Sequence, residues 1–228
     1  MRQAPAVGGG FLDSSSGRAL VWFLNRRGGK FYFGTQKAGK LSVQVADMPF
    51  IETGIPGLIL FEPKVFEDER GYFFEAYNER LFHQAGIRTR FVQDNQALSS
   101  YGVLRGLHYQ VEPFAQAKLV RVLQGEVLDV VVDIRPGSPT YGQSYSIRLS
   151  EENKRQLFIP RGFAHGYVVL SPTAVFFYKC DNFYSREHEG GIAWNDPQLD
   201  IDWLVDEKDL IIAERDRRFP VLGRHRIV

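Results

Sequence analysis

The sequence predicts an all-β protein, a jelly-roll barrel, on three observations. From Pro49 on, short apolar or aromatic runs recur between turn residues. Within Glu126 to Ile134, Leu128, Val130, Val132 and Ile134 fall at every second position, the period of a strand. Helical spacing is confined to one short early segment and to the region after Pro197. Leu58 to Phe61 reads as the first strand, followed by Pro63 and a second extended piece ending near Phe66. Glu67-Asp68-Glu69-Arg70-Gly71 is a polar loop, after which Tyr72 to Tyr77 resumes as an aromatic strand. Asn78 has the side chain to cap a short helix over Glu79 to Gln84, and Gly86 ends it. Strands are expected over Phe91 to Gln96, Gly102 to Gln110 and Lys118 to Leu123. A Gln124-Gly125 turn leads into Glu126 to Ile134. Tyr141 to Leu149, Arg155 to Ile159, His165 to Leu170 and Ala174 to Lys179 complete the array. A helical stretch is expected around Glu207 to Arg215, which puts the few short helices mainly near the C-terminus.

Length and composition suit one domain with an appendage: 228 residues at 44% hydrophobic provide ample material for a core. The net charge of +1 gives no reason to expect nucleic acid as a partner, and no apolar run is long enough to cross a bilayer. Cys180 is the one cysteine, so no intramolecular disulfide forms, which fits a reducing, cytoplasmic setting. The average charge hides a division. Residues 1–47 hold seven Lys/Arg against two acids, whereas residues 48–228 hold 21 against 25. The first segment also carries Gly8-Gly9-Gly10, Ser14-Ser15-Ser16 and Gly28-Gly29, and Met48 stands where the composition changes. An upstream or vector-derived start fits best with the placement of Met48. The alternatives are an organelle transit peptide and a true extension that adds a strand through Lys30 to Gly34. Residues 48–228, with no repeat or linker before Leu222, are read as one domain.

Two segments carry the chemistry. Gly102-Val103-Leu104-Arg105-Gly106-Leu107-His108-Tyr109-Gln110 places a histidine on a strand after a glycine-flanked arginine. Pro160-Arg161-Gly162-Phe163-Ala164-His165-Gly166 places a second just past a Pro-x-Gly turn. The pair resembles the two cupin motifs, the second residue for residue. Metal-binding cupins carry His-x-His in the first motif, but here the position two after His108 is Gln110, a poor ligand for a transition metal. A stable site wants at least three imidazole or carboxylate ligands, and His83, His188 and His225 fall in a helix, a loop and the tail. The reading is therefore a pocket that works without metal. A neutral imidazole accepts protons near neutral pH, a lysine stabilises an enolate by charge, and a tyrosine returns a proton. That set suits proton abstraction next to a carbonyl. Taken singly, a strand histidine is more often a hydrogen-bonded core residue, and Lys118, Arg105 and Tyr178 could each serve packing; their joint occurrence is what points to catalysis.

The constellation closely resembles the dTDP-4-dehydrorhamnose 3,5-epimerase family of deoxysugar pathways, from Met48 to about Leu222. The matching stretches run in order: Val92-Gln93-Asp94-Asn95, Gly102 to Gln110, Lys118-Leu119-Val120-Arg121-Val122 and Gly125 to Val130. Glu152 to Leu157, Ile159 to Gly166, Tyr178-Lys179 and Trp194-Asn195-Asp196-Pro197 follow. The resemblance implies that His108 is the base removing protons from C3 and C5 beside the C4 ketone. It implies that Lys118 stabilises the enolate, that Tyr178 donates from the opposite face, and that Asp216 orients the histidine. Ala213-Glu214-Arg215-Asp216 departs there from the family's usual Ser-Glu-Lys-Asp, so Arg215 keeps the charge of a lysine with a different reach. Contacts to substrate map onto Arg70, Glu75, Gln93, Asn95, Arg105, His165, Glu189 and Arg215, and Tyr184 lies where the family stacks an aromatic ring on thymine. For Tyr184 the competing reading is a surface aromatic on a loop, and for His165 a structural hydrogen-bonding role. No cofactor and no metal are implied. The expected partners are a dTDP-4-keto-6-deoxyhexose and a second copy of the chain, with Arg70 and Glu75 in reach of the neighbouring pocket.

Competing readings are an epimerase acting at C5 alone or C3 alone, a non-catalytic cupin sugar-binding module, and a metal-dependent cupin oxygenase, which Gln110 disfavours. A base and an acid retained together weigh against the binding module. If residues 1–47 are an incidental extension, truncation to begin at Met48 is expected to leave turnover intact, and a turnover assay of the shortened chain checks this.

Overall fold

The computed structural model describes residues 7–13, 18–24, 31–37, 40–45 and 49–228, and the chain divides into two compact units, 1–51 and 52–228. In the first, β1 (Val7–Asp13), β2 (Arg18–Leu24), β3 (Phe31–Lys37) and β4 (Lys40–Val45) pair antiparallel in that order. The strand expected through Lys30 to Gly34 corresponds to the start of β3, with Lys30 itself outside the described residues.

In the second unit two larger sheets face one another. After β5 (Phe50–Glu52), which spans the boundary between the units, its strands are β6 (Ile59–Phe61), β7 (Phe66–Asp68), β8 (Gly71–Phe73), β9 (Gln93–Ser100), β10 (Val103–Gln110), β11 (Lys118–Gln124) and β12 (Glu126–Asp133). They continue with β13 (Ser144–Ser150), β14 (Gln156–Ile159), β15 (Phe163–Val169), β16 (Thr173–Cys180), β17 (Glu189–Gly191) and β18 (Ile211–Ile212). One sheet runs β13-β12-β15-β10-β17, with β18 joining β10 in parallel; the other includes β6-β14-β11-β16-β9. Apart from β12 and β13, neighbours in the sheet order are distant in sequence, which is the crossing pattern of a jelly roll. The fold is the all-β barrel that the strand spacing predicts.

The space between the sheets is filled by Val120 and Val122 of β11, Val127 and Val131 of β12, Leu157 of β14, Tyr167 and Val169 of β15 and Phe176 of β16. A second core lies on the outer face of the first sheet. There Leu128, Val130, Val132 and Ile134 pack with Leu104, Val168, Leu199 and Trp203. The alternation seen in the sequence at 128, 130, 132 and 134 is real, but both faces of β12 are buried, because the chain after Pro197 folds back over the outer face. Asp196 anchors that return: its carboxylate accepts from the backbone N–H groups of Gln198 (2.8 Å) and Leu222 (2.5 Å).

The helix α1 spans Glu79–Gln84, capped by Asn78, whose Oδ1 accepts from the backbone N–H groups of Arg80 (3.1 Å) and Leu81 (3.4 Å). Gly86 follows with φ +85°, the left-handed backbone that stops a helix. The helical stretch expected around Glu207 to Arg215 is not present. That region is a 3₁₀ turn at Glu207–Asp209, the short strand β18, and a second turn at Asp216–Arg218. Its charges resemble a helix face, but the Ile211 N–H donates to the Gly102 carbonyl (2.8 Å) and β18 pairs with Val103–Leu104, so tertiary pairing overrides local preference. The aromatic strand expected over Tyr72 to Tyr77 is also shorter: β8 ends at Phe73, because β7 is its single neighbour.

Asp133 ends β12 fully buried and accepts from the Arg135 backbone N–H (3.1 Å), Arg135 Nε (2.8 Å) and Nη2 (2.6 Å), and the hydroxyls of Ser138 and Thr140 (2.6 Å each). Burial raises its pKa, but the five donors outweigh burial and hold it at about 2. A depressed carboxylate stabilises the fold above its unfolded pKa and loses that contribution as pH falls through the folded value. Asp133→Ala is expected to cost about 3–5 kcal/mol in chemical denaturation at neutral pH, by leaving buried donors and a guanidinium unpaired. The difference from the parent should shrink between pH 4 and pH 2.

Candidate active site

A cavity of about 240 Å³ opens between the sheets. Among its lining residues are Arg105, His108 and Tyr109 from β10, Lys118 from β11, His165 and Tyr167 from β15, and Tyr178 from β16. Tyr184, Glu189 and Arg215 form its rim.

His108 owes its position to a shift in register between β10 and β15. The paired residues change from Arg105↔Tyr167 to His108↔His165, with the irregularity between Arg105 and His108. Gly106 makes that approach possible: a Cβ there would lie 2.5 Å from the Gly166 Cα. Behind His108 sits Asp216, 2% exposed, with Oδ1 2.9 Å from His108 Nε2 and Oδ2 accepting from the Gly106 N–H at 3.3 Å. The His108–Asp216 approach is close in distance but out of line for a hydrogen bond. Burial raises the Asp216 pKa, but the adjacent His108, the Gly106 N–H and Arg215 together outweigh it, so the carboxyl lies below its ordinary value. Phe219 closes the other side, its ring edge-on to the imidazole at 5.5 Å.

A second imidazole–carboxylate pair lies one strand away. His165 Nε2 is 2.8 Å from Asp129 Oδ2, with both residues buried. Burial lowers the His165 pKa, with Asp129 acting in the other direction. Across the cavity, Lys118 is held below the ordinary lysine value by burial, offset by Cys180, Asp129 and Glu189. Its Nζ lies 5.8 Å from the centre of the Tyr178 ring. Burial pushes Tyr178 up to about 12, so its phenol keeps its proton at neutral pH. The cavity thus sets an imidazole backed by a carboxylate on one sheet against an amine and a protonated phenol on the other.

At the rim, Glu189 Oε2 accepts from Arg215 Nη1 (2.9 Å) and from the Tyr184 hydroxyl (3.2 Å). Arg215 Nε also donates to Asp216 Oδ1 (3.1 Å), linking rim to base. Gln93 and Asn95 lie beside the cavity on β9: Gln93 Oε1 accepts from the Tyr184 N–H (3.2 Å), and Asn95 pairs with Tyr178 across the strands. Arg105 donates to the Ser99 hydroxyl (3.2 Å). Of the sequence-predicted set, two are elsewhere. Arg70 sits on the exposed β7–β8 hairpin paired with Asp68, and Glu75 accepts from Asn78 Nδ2 (3.1 Å).

Sequence reasoning missed Asp129, whose signal was an acid inside an otherwise apolar strand, and Tyr167, whose hydroxyl is buried without a hydrogen-bond partner. It also underrated Gln110. The amide Nε2 donates to the Phe114 (2.7 Å) and Phe183 (3.1 Å) carbonyls, while Oε1 accepts from the Ser185 N–H (2.6 Å). This residue pins the loop that carries Tyr184. Among the described residues no group of three or more His, Cys, Asp or Glu side chains is placed to hold a metal ion.

A family model described as dTDP-4-dehydrorhamnose 3,5-epimerase matches residues 52–224. The chain belongs to that family. It is 58% identical over 165 residues to the dTDP-4-dehydrorhamnose 3,5-epimerase of Pseudomonas aeruginosa, covering 72% of this chain and 90% of the relative. The crystal structure of the dTDP-4-dehydrorhamnose 3,5-epimerase of Elizabethkingia anophelis superposes with a TM-score of 0.74 at 54% identity, covering 77% of this chain and 97% of that one. A Legionella pneumophila dTDP-6-deoxy-D-glucose-3,5-epimerase, solved in complex with dTDP-4-keto-L-rhamnose, gives a TM-score of 0.73 at 50% identity, covering 77% and 93%.

Gln110→Ala is expected to release the Phe183–Ser185 loop, with faster amide hydrogen exchange there than in β12 and a stability loss of about 2–3 kcal/mol from the unpaired backbone groups.

Proposed function

We propose that residues 48–228 invert C3 and C5 of dTDP-4-dehydro-6-deoxy-D-glucose to give dTDP-4-dehydro-L-rhamnose. The observation that carries this reading is the placement of the His108–Asp216 pair and the Lys118–Tyr178 pair on facing sheets of one cavity. With Nε2 turned to Asp216, Nδ1 is the nitrogen left to accept a proton. His108 removes the proton from C3 or C5, and the electron pair of the broken C–H bond moves onto the C4 oxygen as an enolate. Asp216 steadies the resulting imidazolium, and the Lys118 ammonium lies on the enolate side. Tyr178 then delivers its phenolic proton to the carbon from the other face, which inverts the centre. The imidazolium returns its proton to solvent and the phenolate regains one, so each inversion is proton-neutral. Family membership and the ligand-bound Legionella relative support the choice of substrate.

Arg215, Arg105 and His165 supply donors for the diphosphate, with Arg suited to bidentate contact. Tyr184, exposed at the mouth, supplies a ring for the thymine, with Gln93, Asn95 and Glu189 beside it. The hairpin β7–β8 leaves Phe66, Tyr72 and Phe73 exposed together. A homodimer would cover this surface and bring Arg70 and Glu75 to the neighbouring pocket. No helix among the described residues is long and apolar enough to cross a membrane, and the lone buried Cys180 suits a reducing cytoplasm.

Incubation with the 4-keto-6-deoxyglucose nucleotide in heavy water is expected to place deuterium at both C3 and C5. Label at one position alone would identify a single-position epimerase, and label at neither would overturn the reading. His108→Ala should reduce turnover by roughly 10²–10⁴-fold.

A further inference from the structure

The last residues of the chain lie beyond the stretch that the family model matches, which ends at 224, yet they are bonded to the cavity wall. Arg226 Nη1 donates to the backbone carbonyls of Glu187 (2.8 Å) and Glu189 (3.1 Å). The Arg226 carbonyl accepts in turn from the hydroxyl of Tyr109, a buried residue of the cavity lining and the neighbour of His108 on β10 (2.8 Å). His225 fixes the approach, its ring edge-on to Tyr109 at 6.0 Å and stacked with Tyr141 at 6.5 Å.

The segment held this way is one that needs holding. Glu187 lies in the 3₁₀ turn Arg186–His188 and Glu189 begins β17, an edge strand whose single neighbour in the sheet is β10. Three residues of β17 face β10, so the strand contributes little of its own stability, and an edge carbonyl without a partner is left to water. The Glu189 side chain is nonetheless the shared acceptor for Arg215 and Tyr184. A shift of β17 would therefore displace two rim groups at once.

We infer that Arg226 is a positioning residue for substrate binding: by clamping the Glu187 and Glu189 carbonyls to the Tyr109 hydroxyl, the C-terminal strap holds Glu189, and with it Arg215 and Tyr184, in place to receive the nucleotide end of the substrate. This rests on the epimerase reading for the identity of the ligand. The role concerns binding, not proton transfer, because no atom of Arg226 lines the cavity.

The test compares the full chain with Arg226→Ala, Arg226→Lys and a chain ending at Arg224, measuring KM and kcat for the dTDP-4-keto-6-deoxyhexose, calorimetric affinity for dTDP alone, and thermal midpoint. Arg226→Ala and the shortened chain should raise KM about tenfold and weaken dTDP by a similar factor, with kcat within about twofold of the parent. Arg226→Lys, which keeps the charge but cannot span two carbonyls as a guanidinium does, should recover part of the affinity. Unchanged KM and dTDP affinity in both shortened and alanine variants would overturn the proposal. So would a fall in kcat that tracks the thermal midpoint and is not relieved by lysine. A parent chain that binds dTDP but does not turn over the sugar nucleotide would refute the epimerase reading and leave the strap tested by dTDP affinity; one that does neither would refute both.

Discussion

The position of one buried carboxylate governs much of this structure. Asp216 reaches His108 from the end of the chain, across more than a hundred residues, and it can do so only if the whole segment after Pro197 returns over the outer face of the β13-β12-β15-β10-β17 sheet. That return is held by Trp203 and Leu199 in the outer core, by the Asp196 carboxylate, and by the pairing of β18 with β10. Burying a charged group is costly unless it is paired and hydrogen-bonded. Here the imidazole, the Gly106 N–H and Arg215 meet that cost together. The outer core thus fixes a nitrogen in the inner one.

The two histidines show how environment divides chemistry between like residues. They are register partners on adjacent strands, each with its own carboxylate. His165 is almost fully buried, and desolvation drives it toward the neutral form, while His108 keeps partial access to the cavity. Both line the cavity, and His108 is the more accessible of the two. The facing sheet carries the complementary pair, the Lys118 amine and a phenol that stays protonated, so in the proposed reaction proton removal and proton delivery fall to opposite walls.

Much of this was legible in the sequence. The strands from Phe91 to Lys179 announced themselves by turn residues and alternation, and Asn78 and Gly86 bracketed α1. The Pro-x-Gly turn before His165 and the glycine-flanked Arg105 marked the two strands that meet at the cavity. What was hidden depended on long-range pairing. Nothing local in Ile211–Ile212 distinguishes a strand seated against Val103–Leu104 from one turn of an amphipathic helix. Nothing near Asp133 says that β12 is covered on both sides. Asp216 was reachable only through resemblance to a family pattern, since a carboxylate and an imidazole so far apart leave no spacing to read. Asp129 was readable in principle, as an acid in a strand of valines, and was passed over because its partner lies on another strand.

Gln110 has an evolutionary consequence. In a barrel with a histidine already at 108, and another facing it at 165, a third nitrogen at 110 looks one codon change away from a metal centre. The side chain at 110 is already spent, however, on the Phe114 carbonyl and on a carbonyl and an N–H of the loop that presents Tyr184. A histidine there could not satisfy all three backbone groups, so a metal ligand at 110 would loosen the Tyr184 loop in the same step. Substitution at 110 toward a metal ligand therefore carries a cost at the Tyr184 loop, a constraint on how this scaffold can change.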